Sequence, residues 1–445
     1  MPLSTGARQR QSLREIDKLI EQFEAWRDDL DLPQYKTQIE SISREMLDSA
    51  GRLRGAIDTL AEPRTGGFYS ECLKIEKQTA WIWRAWDYFR EKFDQRKDPR
   101  YRDTLLAADE VIWSCYRPFF RQPPGERVPE PAPLPYIEME YSPVAVRRDQ
   151  SSVIGGQPDD RKLIEEAFRT LPVPIMRLPV SAIRNPWVIA LVGHETEHIL
   201  QRMISSDPLR FVGAFRKAVE NAAGNAAWSP WAVEIFADWY SVLTMGQWAL
   251  HPIAQFGAGD AKQNARRGTV YPSLLVRLAL MAELADYYGF PGAHALAKLQ
   301  LERPQSGEVP DFDADCAAVA AVAAAIRNLP ECQAVADQIG KHPQNYGPGG
   351  LASQWARHVG AGGVQPATRK PDSARLVAAG AVQAWDEYVF GSAEPPGDEA
   401  MEKLQQRTID AMRGAGMPGV RSSSRTADAP AGALYSLIER VSRDD

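Results

Sequence analysis

His194 and His198 are separated by Glu195, Thr196 and Glu197, an HExxH spacing. On an α-helix, positions i and i+4 share a face, so both imidazoles can reach one metal ion. Glu195, between them, is placed to act on a water activated by that ion rather than to bind it. Zinc suits such ligands, and in catalytic sites it takes three protein donors and leaves a fourth position to water. Glu234 and Asp238, again four apart, lie in the otherwise apolar and aromatic run from Ala232 to Tyr240. Two acids on such a helix are costly to bury unless something positive meets them. A metal and an imidazole N–H are natural partners, with Glu234 on the metal and Asp238 orienting a ligand histidine. The bland alternatives are a helix with two incidental histidines, and an acidic pair that faces solvent or meets arginines.

The elements that must hold these groups are legible nearby. Asn185 can cap a helix whose first residue is Pro186, and the apolar run Val188–Val192 would carry the histidines into a core. Ser229-Pro230-Trp231 repeats that opening ahead of Glu234. A helix from Pro208 to Asn221, capped by Asp207, fills the gap between the two stretches.

Together the stretches resemble the gluzincin metallopeptidases, whose pattern is HExxH followed by ExxxD on a later helix; the likeness covers roughly residues 173–280. It implies His194, His198 and Glu234 as zinc ligands, Glu195 as general base, and Asp238 as support for a ligand. Glu197 is a departure, standing where many relatives carry glycine or a small residue; it either adds negative charge near the metal or points to solvent. The segment Tyr271-Pro272-Ser273-Leu274-Leu275-Val276-Arg277 is similar to the His-Pro-x-x-x-x-Arg element of the CAAX-type prenyl proteases, with tyrosine in place of histidine. A phenol there can donate to the oxyanion of a tetrahedral intermediate, and Arg277 can pair with a motif carboxylate or bind substrate backbone. The plain alternative is an amphipathic helix from Ser273 to Tyr288 with an ordinary Tyr-Pro start. His251, before Pro252, is the other candidate donor, and a helix terminus is its plain reading.

Whole-chain properties narrow the function. A formal charge of −6 argues against binding nucleic acid through bulk charge. Cys72, Cys115, Cys316 and Cys332 show no CxxC spacing and read as thiols in a reducing compartment. The polar, basic start lacks an apolar signal region, and no run of 18 apolar residues occurs, the Ala-rich stretch 316–326 being too short to span a bilayer. The expectation is a cytoplasmic protein with no membrane span.

The expected fold is mainly α: an N-terminal helical bundle or coiled coil over residues 1–120, then a zincin-like α+β catalytic domain with a small sheet. Apolar residues at helical spacing mark helices near 13–23, 38–60, 67–96 and 101–116. Residues 121–150 read as a Pro-rich linker or wrap, 151–390 as the metallopeptidase domain, and 391–445 as a flexible tail with short helices. Strand candidates are Tyr136–Tyr141 and Val173–Val180; by the gluzincin likeness, either would line the cleft as an edge to which a peptide adds. The leading expectation is a zinc peptidase acting on protein or peptide. The alternative is a helical interaction or regulatory protein whose metal site is structural or lost. A third reading combines them: a protease held latent by bundle or tail until a partner binds, through the N-terminal helices for instance.

Overall fold

The computed structural model describes residues 5–60, 67–120, 132–139, 144–146, 173–204, 208–340, 342–366, 373–394, 396–416 and 435. Within them the chain is mainly α-helical. The first helices are α1 (Thr5–Asp29), α2 (Lys36–Asp58), α3 (Phe68–Asp94) and α4 (Pro99–Tyr116). Three short strands follow, β1 (Leu134–Glu138), β2 (Val144–Val146) and β3 (Ile175–Pro179). Then come α5 (Val192–Leu200), α6 (Pro208–Ala223), α7 (Ala232–Met245), α8 (Leu250–Gly257), α9 (Ala261–Ala265) and α10 (Leu274–Tyr287). The series ends with α11 (Gly292–Lys298), α12 (Phe312–Asn328), α13 (Pro330–Ile339), α14 (Leu351–Ala361), α15 (Ser373–Trp385) and α16 (Asp398–Ala415).

Two hydrophobic cores divide the molecule, and the boundary is not where helical periodicity alone put it. Ile16, Leu19, Phe23 and Trp26 of α1 pack with Ile42, Met46 and Leu53 of α2 and with Ile82, Trp86, Phe89 and Phe93 of α3. The fourth helix leaves this bundle: Leu105, Val111, Ile112 and Tyr116 of α4 belong to the larger core, and α4 packs against α5. The expected four-helix unit over residues 1–120 is therefore a three-helix bundle plus one helix of the body. Spacing marks which face of a helix is apolar, not which neighbour covers it.

The sheet lies between the two cores. Its order is β1-β3-β2, with β1 parallel and β2 antiparallel to β3. Side chains alternate across a strand, and here the alternation serves both cores. Leu134, Tyr136 and Ile175 join the bundle, whereas Ile137, Met176 and Leu178 join the body. β3, the expected strand Val173–Val180, is central and paired on both sides, so it has no edge to offer a peptide. The outer edge of β1 is covered at Ile137, whose N–H donates to Gln95 Oε1 at 2.7 Å and whose carbonyl accepts from Gln95 Nε2 at 2.9 Å. β2, which packs near α5, is the other edge. β1 and β2 both fall within the expected linker 121–150.

A buried ion pair fastens bundle to body. Arg96, just past α3, meets Asp109 of α4 at 2.6 Å with both side chains 2% exposed. Tyr35 donates to Asp109 at 2.6 Å, and Arg96 also donates to the carbonyl of Pro135 at 3.1 Å. Removing one partner of such a pair strands a charge and costs about 3–5 kcal/mol.

The expected tail 391–445, flexible with short helices, has a helix in its first part, but that helix is packed onto the body and is not loose. α16 lies on α4 and α15, with Leu404, Ile409 and Met412 buried. Its amphipathic spacing found the covering surface that its charged composition disguised. The rest of the expected tail, after residue 416, lies outside the described residues, Tyr435 excepted.

Candidate metal centre

The approach to His194 differs from the expected capped helix. Pro186–Leu191 is a 3-10 turn, Asn185 makes no side-chain cap, and the α-helix begins at Val192. All six residues of that turn are buried, and the Trp187 ring lies 6.3 Å from Trp385 and 5.9 Å from Phe390. Packing of this segment against α15 overrides the local capping preference. Likewise α7 begins at Ala232, after Trp231, with no side-chain cap from Ser229.

α5 and α7 approach closely at Gly193, where a Cβ would stand 3.1 Å from Thr244 Oγ1 and 3.4 Å from Met245 Cε. A larger residue there would push the helices apart. At this same end of α7, just past Met245, Gly246 takes a positive φ of 61°, and a Cβ on it would meet the Tyr346 ring at 2.8 Å. Glycine is required on both counts, and the helix stops there. With Gly193 against Thr244 and Met245, and His198 near Glu234, the two helices run in opposite directions across their contact. Gly193 escaped notice in the sequence; a glycine inside a helical apolar run was the available signal.

Three donor atoms converge in the contact. His194 Nε2 stands 3.2 Å and His198 Nε2 3.5 Å from the same oxygen, Glu234 Oε2. His194, His198 and Glu234 form the group among the described residues that could hold a metal ion. A tetrahedral ion with bonds of about 2.0–2.1 Å keeps its ligand atoms about 3.3 Å apart, which the two observed separations bracket. Glu234 Oε2 is buried and makes no well-directed hydrogen bond among the described residues; the groups it faces are the two Nε2 atoms. The residues fit a metal.

Behind the donors stands a second layer. Asp238 Oδ1 lies 3.0 Å from His194 Nδ1, and Arg277 donates to both Asp238 oxygens, at 2.6 and 2.7 Å. Asp238 thus meets an imidazole and an arginine together, uniting two readings that the sequence set against each other. Arg277 sits on α10, which packs against α7, and its guanidinium lies 4.8 Å from the Tyr271 ring centroid. Ser273, between them, caps α10 by accepting from Val276 N–H.

The charges respond to this crowding. Burial opposes the charged form of His194, but Asp238 and Glu234 outweigh it and raise the imidazole to about 10 in the metal-free chain. Burial likewise works against Glu234, yet the two histidines hold its carboxyl well below the usual range. Asp238 is held low against burial by Arg277 and His194. Tyr271 is pushed above the ordinary tyrosine range, first by burial and then by the nearby negative charge of Glu234, with Glu195 contributing. Its phenol therefore keeps its proton at neutral pH.

Glu195 is 7% exposed, outside the donor group and within electrostatic reach of Tyr271. Tyr271, at 37% exposure, borders both the centre and solvent. His251 is not brought to this group. On α8 its Nδ1 meets Asp386 at 3.3 Å and its ring lies 5.1 Å from that of Trp248. His251-Pro252 lies in the first turn of α8, the plain reading that the sequence offered, with Nδ1 turned to Asp386 and not to the three donors. Glu197, left open by the sequence, is fully buried, with Oε2 3.6 Å from His198 Nδ1.

The chain matches no protein-family model, no curated protein and no solved structure. No helix among the described residues is long and apolar enough to cross a membrane.

Proposed function

We propose that this chain is a zinc-dependent peptidase that hydrolyses peptide bonds in protein or peptide substrates. The observation that carries the reading is the convergence of His194 Nε2, His198 Nε2 and Glu234 Oε2, with Glu195 beside them and outside the donor set. Three protein donors are the number that a catalytic zinc uses, whereas a structural site is closed by four. Held by His194, His198 and Glu234, a zinc ion would supply Lewis acidity, lowering the pKa of water toward neutrality. Glu195 accepts the proton of the attacking water and delivers it to the leaving nitrogen. The Tyr271 phenol, still protonated at working pH, donates to the carbonyl oxygen as negative charge develops on it. Asp238, clamped by Arg277, fixes the His194 ring so that Nε2 faces the donor group.

The test is elemental analysis combined with cleavage of an unfolded protein substrate. Wild type should carry one zinc and cleave. Glu195→Gln should keep the zinc and lose essentially all cleavage, whereas Glu234→Ala should lose both. Cleavage by Glu195→Gln at the wild-type rate would remove Glu195 from the chemistry.

A second reading, a helical interaction protein with a non-catalytic metal, draws support from Tyr69 and Leu73. They are exposed one turn apart on α3, at 43% and 51%, as a partner-binding face would need. Zinc binding with no cleavage of any unfolded substrate would favour it.

A further inference from the structure

We infer that Glu197 is a positioning residue of the metal centre, its buried carboxylate fixing the His198 ring as Asp238 fixes that of His194. The inference rests on the metal reading above but not on peptide cleavage. His198 presents Nε2 to Glu234 Oε2 at 3.5 Å, so a metal taken up there binds Nε2. A neutral imidazole bound through Nε2 must carry its proton on Nδ1, and that N–H needs an acceptor. Glu197 Oε2 faces that atom at 3.6 Å. The separation is just longer than a hydrogen bond.

The two imidazoles then have parallel supports. Behind His194 stands Asp238, and behind Asp238 the half-buried Arg277. Behind His198 stands Glu197, in a neighbourhood that also holds a buried arginine. The phenol of Tyr240, governed first by its burial, feels the opposing charges of Arg375 and Glu197. Arg375 is 5% exposed and Glu197 fully buried. Glu195 and Glu197, two residues apart on one short helix, have separate destinations: the first lies near Tyr271, the second near Tyr240. A carboxylate hydrogen-bonded to a ligand imidazole raises its basicity and locks its orientation, and losing such a partner typically costs about 10–100-fold in metal affinity.

The experiment compares the full-length wild type, Glu197→Gln and Glu197→Asp. Zn2+ affinity is measured by competition with a chromophoric chelator, alongside histidine-selective 15N NMR of the zinc-loaded proteins. The Gln variant should bind Zn2+ about 10-fold or more weakly, with Asp recovering part of the loss. In the wild type the Nδ1–H of His198 should resonate strongly downfield, as expected for a donor to carboxylate, and move upfield in the Gln variant. Zn2+ affinity within twofold of wild type, with an unmoved resonance, would overturn the inference while leaving the peptidase reading intact. Weakened binding in a protein that cleaves nothing would uphold it and sink the peptidase reading alone. A wild type that binds no Zn2+ sinks both. If the Gln variant does not fold, the wild-type resonance decides: a His198 Nδ1–H without a carboxylate partner overturns the proposal.

Discussion

Arg277 grips Asp238 through two hydrogen bonds, 2.6 Å from Nε and 2.7 Å from Nη2, 39 positions apart in sequence. The same carboxylate stands 3.0 Å from His194 Nδ1, so one acid serves a cation from α10 and an imidazole from α5. Such bidentate pairs fix geometry as well as charge. Arg277→Met should leave Asp238 buried without its main counter-charge and cost about 3–5 kcal/mol in chemical denaturation. Arg277→Met combined with Asp238→Leu removes both charges and should recover much of that cost. A double variant no more stable than the single one would show that the two residues do not act as a pair.

The metal-free centre should respond to pH with a sign set by His194. Its folded-state value, about 10, lies above the ordinary 6.5. The ion pairs it makes with Asp238 and Glu234 therefore contribute stability that is full below pH 6.5 and lost as pH rises through about 10. Zinc requires the neutral ring, so binding should release the His194 proton within that window, and affinity should rise with pH across it. Glu234 and Asp238 are held ionised and have no proton to give. Calorimetric titrations at pH 7, in buffers of different ionisation enthalpy, should report about one proton released from this group. Binding with no proton release would contradict the charge state assigned to His194.

Tyr271 should act in the reaction rather than in holding the metal. Tyr271→Phe removes only the hydroxyl of a residue that is partly open to solvent, so folding and zinc content should be unchanged. A lost oxyanion donor costs about 10²–10³ in kcat, with KM little altered. An unchanged kcat would return Tyr271 to the plain reading of a Tyr-Pro preceding a helix.

α4 and α16 belong to the body that carries the candidate metal centre, and truncation should expose that. Met412→Ala, in a fully buried position on α16, should cost about 2–5 kcal/mol. Deletion of residues 1–120 takes α4 away from α5 and should abolish cooperative unfolding; a soluble fragment with higher activity would instead revive latency through the bundle.

Much of the centre was legible in the sequence because its residues come in helical pairs. A separation of four residues on a helix places His194 with His198, and Glu234 with Asp238, whatever the rest of the chain does. The mainly helical fold was equally readable, since the apolar faces of α1 to α3 repeat at helical spacing. Only tertiary structure could bring Glu234 to the two imidazoles, set Arg277 behind Asp238, and send His251 to Asp386 instead. These are contacts between elements distant in sequence, chosen by which faces bury each other. Gly193 shows the dependence: in the sequence it is a small residue before a motif, and in the fold it is where α5 meets α7. The destination of Glu197 was undecided for the same reason. Local spacing sets the direction of a side chain around its own helix, but the neighbouring helices decide whether that direction leads to water or into the interior beside His198.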